Sequence, residues 1–72
     1  MANTKSDDGN TFMVKVIVDA LNIRRGPGIN NDICGCIIDK GSYTIVDTNG
    51  SWGRLKSGAG WINISSAYCK RI

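Results

Sequence analysis

The sequence predicts an all-β domain, a barrel or sandwich of short antiparallel strands. Three observations carry this. No window sustains a helical period. β-Branched and aromatic residues come in short runs with period-two alternation, the mark of strands with one buried face. The runs are separated by turn-forming residues, including nine glycines in 72 residues.

Residues 1–11 are polar and turn-prone and read as a linker or disordered tail. Asp7 and Asp8 in it read as solvating charge. These residues have no hydrophobic core, so no secretory leader is expected among them. The domain is expected over 12–72. Phe12 opens a strand in which Val14, Val16 and Val18 alternate with Met13, Lys15 and Ile17. Ala20 to Arg24 continues it, with Leu21 and Ile23 on one face and Asn22 and Arg24 on the other. Arg25-Gly26-Pro27-Gly28 breaks the chain, and Asn30, Asn31 and Asp32 extend the loop. Ile33 to Ile38 is a strand, and Asp39-Lys40-Gly41 reads as a hairpin-type turn. Ser42 to Asp47 is a strand, ended by the turn Thr48-Asn49-Gly50-Ser51. Trp52 to Lys56 and Trp61 to Ile64 are short strands around the turn Ser57-Gly58-Ala59-Gly60. Ser65 to Tyr68 forms one tight helical turn, and Cys69 to Ile72 closes the sheet.

Composition narrows the function. The chain is 42% hydrophobic and 21% charged, a globular balance. It has no apolar run long enough for a membrane-spanning helix. It contains neither His nor Glu, so the commonest general base and zinc ligand are missing. A chain this short has room for one sheet system and little for a deep pocket. A binding module is therefore expected, not an enzyme. The net charge of +3 comes from scattered basic residues. Nucleic-acid binders concentrate such charge, so no nucleic-acid or membrane partner is expected. A weakly anionic polymer surface suits the charge.

Three cysteines cannot all pair internally. Cys34 and Cys36 share a strand face, where a disulfide between them would be strained. They and Cys69 read as free, half-buried thiols acting as small hydrophobes. With no His, they form a thin metal-ligand set and a poor nucleophile. No cofactor or metal is expected.

Four motifs in order resemble the bacterial SH3 domain, a small SH3-like β-barrel found in cell-wall proteins. They are Ala20-Leu21-Asn22-Ile23-Arg24-Arg25-Gly26-Pro27-Gly28, Gly35 with Asp39-Lys40-Gly41, Trp52-Gly53-Arg54-Leu55, and Gly60-Trp61-Ile62-Asn63-Ile64 followed by Ala67-Tyr68. The resemblance covers 12–72 and looks most like the modules of clostridial and phage peptidoglycan hydrolases, endolysins of amidase or lysozyme type. It implies a non-catalytic module that binds peptidoglycan or another wall polymer and targets a catalytic hydrolase domain. It implies a site of action at the bacterial cell wall, outside the membrane, reached through a parent chain or by phage lysis. The span Gly35 to Gly41 is longer than the family's common spacing, which predicts a bulge or longer turn.

A wall ligand needs aromatic faces and hydrogen-bonding groups. Trp52, Trp61, Tyr43 and Tyr68 are the aromatic candidates, each also suited to packing in a small core. Arg24 either binds ligand or ties the Gly26–Gly28 loop to backbone carbonyls through its guanidinium fork. Asn22 shares its face and serves as ligand contact or turn-bonding residue. Asp47 could accept from a peptide amine. The alternative function is protein–protein interaction or oligomerisation through exposed strand edges, giving a homo-oligomer.

Overall fold

The structure, a computed structural model, describes residues 11–72. The expected tail, apart from Thr11, lies outside the described residues. The strands are β1 (Phe12–Val16), β2 (Leu21–Arg24), β3 (Ile33–Ile37), β4 (Ser42–Asn49), β5 (Trp52–Leu55), β6 (Trp61–Asn63) and β7 (Cys69–Arg71). All pairings are antiparallel, in one sheet of order β3-β2-β6-β5-β4-β1-β7. The described residues contain no helix. The fold is all-β, as the alternation predicts.

Every strand sends its inward residues to one cluster. Val14 and Val16 come from β1, Leu21 and Ile23 from β2, and Ile37, Ile45, Leu55, Ile62 and Cys69 from the other five. A single sheet can bury one common face only by rolling around it. Each fully buried aliphatic side chain then contributes about 1.5–3 kcal/mol. The rolled sheet stays open, with β3 and β7 as its outer strands.

The structure corrects three local readings. Ala20 to Arg24 does not continue the first strand. Residues 17–20 break it around exposed Asp19, a poor strand former, and β1 and β2 lie far apart in the sheet order. Asp39-Lys40-Gly41 is not a hairpin turn, because β3 pairs with β2 whereas β4 pairs with β1 and β5. The segment is a crossing braced by Asp39, whose Oδ1 accepts from the Tyr43 hydroxyl at 2.6 Å and from Gly41 N at 3.4 Å. The β2–β3 register shifts opposite Ile33–Gly35. The bulge thus falls at Cys34, before the span in which it was expected.

The other turns follow their residues. β4 and β5 join through Gly50-Ser51, and Gly50 has φ 61°, the positive value that tight hairpins require. Ser65 O accepts from Tyr68 N at 2.9 Å and from Cys69 N at 3.0 Å. This closes the single tight turn that leads into β7.

Candidate functional site

The outward faces of β2, β5 and β6 carry the polar and aromatic residues left over once the alternate positions are buried. Asn22 and Arg24 come from β2, Trp52 from β5 and Asn63 from β6. Trp52 and Asn63 are direct cross-strand partners. Tyr68, from the tight turn, and Ile29, from the 25–32 loop, complete the walls of a groove of about 150 Å³, with Ala20 and Leu21 at one end. A site for a buried small molecule usually holds about 300–1,000 Å³. At about 150 Å³ this groove is smaller than such a site.

The loop wall is held by internal bonds. Arg24 Nη1 donates to Asn31 O at 2.9 Å and to Ile29 O at 3.1 Å. Arg25 N donates to Asp32 O at 2.9 Å, and Asn31 Nδ2 donates to Gly28 O at 3.3 Å. Arg24 therefore acts as the structural fork while also lining the groove. Asn63 Oδ1 accepts from Ser65 N at 3.0 Å, which fixes its amide. The site offers amide donors and acceptors, aromatic faces and one cation already shared with carbonyls. Groups of these kinds can hydrogen-bond and stack against a polar chain.

Of the seven residues expected from the sequence, Asn22, Arg24, Trp52 and Tyr68 meet here. The other three do not. Half-buried Trp61 stands on β6 between Arg24 and Arg54 of the flanking strands and is not a wall of the groove. Asp47 is exposed opposite Arg54 on β4, and its Oδ1 accepts from Thr48 N at 2.9 Å. Tyr43 lines a separate groove of about 330 Å³ with Ser42, Thr44, Leu55, Lys56 and Ser57. Its pKa is raised, first by the hydrogen bond to Asp39, then by burial and by the Asp39 charge. Asn63 and Ile29 were missed. Asn63 was visible as the residue sharing Trp61's strand face, and Ile29 as a large apolar residue in a polar loop.

The cysteines are free, but Cys34 and Cys36 are exposed, not half-buried. Outer strand β3 turns them outward, while Gly35 and Ile37 face in. Cys69 is buried, and desolvation raises its pKa. A thiol reagent at neutral pH should therefore label Cys34 and Cys36 quickly and Cys69 only after denaturation. Equal labelling rates in the folded protein would contradict the burial. The linkage has a definite sign. The unfolded thiol ionises first, so the stability from Cys69 is complete below its ordinary pKa of 9.0. It falls as pH rises through and above that value. Cys69→Ala should flatten this alkaline slope in denaturant melts.

Among the described residues, no group of three or more His, Cys, Asp or Glu side chains comes together to hold a metal ion, and no helix is long and apolar enough to cross a membrane. No protein-family model, no curated protein and no solved structure matches the chain.

Proposed function

We propose that this protein is a non-catalytic, bacterial SH3-like module that binds peptidoglycan and holds a wall hydrolase, such as an endolysin amidase or lysozyme, on its substrate. The observation that supports this reading is the convergence of Asn22, Arg24, Trp52, Asn63 and Tyr68 from separated parts of the chain onto one shallow groove. Peptidoglycan peptides are extended, rich in amides and poor in large side chains. They suit a groove with amide partners, aromatic walls and limited depth. The place of action that follows is the cell wall.

Titration with soluble stem and cross-bridge peptides, followed by tryptophan fluorescence, tests the reading. Saturable change that is lost in Asn22→Ala supports it. An unchanged spectrum with every peptide at millimolar concentration overturns the groove as a peptide site.

A second reading, self-association, is favoured by outer strand β3. It carries no charged residue and exposes Ile33, which is 54% accessible. The opposite edge, β7, carries Lys70 and Arg71, the charges that usually protect a strand edge. The bulge at Cys34 shortens the straight stretch that could pair. A monomer by sedimentation at high concentration would remove this reading.

A further inference from the structure

Asn49-Gly50 is the one Asn-Gly pair in the sequence, and the fold leaves its chemistry open. Asn49 ends β4 and is exposed. Gly50 begins the turn at φ 61°, and a Cβ built on it would meet nothing within 4 Å. Among the described residues, the Gly50 N–H has no main-chain acceptor. A side-chain amide thus adjoins an unengaged backbone nitrogen that no side chain shields.

The other described asparagines are better protected. Asn22 and Asn63 precede Ile, Asn30 precedes Asn31, and Asn31 precedes Asp32, so a side chain crowds the following nitrogen. The Asn31 and Asn63 amides are also hydrogen-bonded. Asn49 in addition holds a sensitive position. It stands directly opposite Trp52, whose other cross-strand partner is Asn63. Opposed residues share a face, with Cβ atoms about 4.5–5.5 Å apart. Asn49 therefore flanks Trp52 on the side away from Asn63.

We propose that Asn49-Gly50 is a self-modifying deamidation site, where slow reaction with water places a carboxylate beside Trp52 and weakens the groove. The Gly50 nitrogen bonds to Asn49 Cγ, and the Cγ–Nδ2 bond breaks. The Gly50 N–H proton leaves with Nδ2 as ammonia, and a five-membered imide remains. Water then opens the ring at Cγ to give Asp, or at the main-chain carbonyl to give isoaspartate. One water is consumed, one ammonia is released and no electrons are transferred. The attack needs the turn to rotate, which is easiest at the last pair of the β4–β5 ladder. Either product lowers the net charge of +3 by one, a charge change felt by its immediate neighbours. The nearest cation, Arg54, already faces Asp47. Isoaspartate also adds a carbon to the main chain and breaks the Asn49–Trp52 register. That the groove holds peptide rests on the function proposed above; the chemistry at Asn49 does not.

The test is incubation of the whole chain in warm, mildly alkaline buffer, beside the free peptide Thr-Asn-Gly-Ser. Peptide mapping by mass spectrometry should find a gain of about 1 Da at Asn49, slower than in the free peptide, with the other described asparagines unchanged. The deamidated form, separated by cation exchange, should show shifted Trp52 amide and indole resonances. Its affinity for stem peptide should fall at least about threefold. Asn49→Gln, whose longer side chain closes a ring far more slowly, should keep its affinity through the same incubation. An intact Asn49 after the free peptide has fully converted would overturn the proposal, as would unmoved Trp52 resonances or an equal loss in Asn49→Gln. If fresh protein binds no stem peptide, the groove reading fails alone, and the mass gain and the Trp52 shifts still decide this one.

Discussion

Gly60→Ala should destabilise the domain by about 3 kcal/mol, combining backbone strain with overpacking. Gly60 has φ 140°, and a Cβ there would sit 2.5 Å from Arg24 O and 2.9 Å from Ile23 Cγ2. The carbonyl belongs to β2 and cannot swing aside as a flexible side chain could. It also lies at the joint where β2 meets β6 through the register pair Arg24–Trp61. Pushing it away loosens the β2–β3 pair from the rest of the sheet and displaces one wall of the groove. A domain of this size loses about 4–8 °C of Tm per kcal/mol, so the melting point should drop by roughly 15 °C. Gly58 provides the control. Its φ is 86°, and a methyl group there would meet nothing within 4 Å, so Gly58→Ala should cost only about 1 kcal/mol of local strain. Equal losses for the two variants in thermal melts would contradict the close approach at Gly60.

Trp52→Ala should weaken binding to peptidoglycan sacculi about 10–100-fold, the usual range for losing one aromatic contact of about 1–3 kcal/mol. Trp52 is half-buried, stands beside Asn63 and lines the groove. Trp52→Phe keeps an aromatic face without the indole donor and should recover part of the affinity. This separates loss of contact from loss of fold, as does a native circular dichroism spectrum for each variant. Asp47→Ala, outside the groove, should bind like the parent chain. Unchanged binding by a folded Trp52→Ala protein would remove the groove from the account.

Alternation made the strands legible because each has one buried face. Val14 and Val16, or Leu21 and Ile23, could hardly be arranged otherwise. Pairing was less legible. Nothing local distinguishes a hairpin turn at Asp39–Gly41 from a crossing to another part of the sheet. That choice depends on which edges of β4 are already occupied, by β1 and β5. The bulge at Cys34 is likewise a register event between two strands. In the groove, Asn22 and Arg24 were readable from their shared face. Asn63 shares a strand face with Trp61 in the sequence, but its place beside Trp52 follows from the β5–β6 pairing.

The most direct measurement is co-sedimentation of the native chain with purified peptidoglycan sacculi from several Gram-positive bacteria. It should be run with and without secondary polymers, at salt high enough to screen surface charge. The predicted result is saturable, selective sedimentation that persists on polymer-stripped sacculi, because the uncharged contacts of the Asn22–Trp52–Tyr68 groove survive screening. A chain that stays in the supernatant with every sacculus, at low salt as well as high, would contradict wall binding.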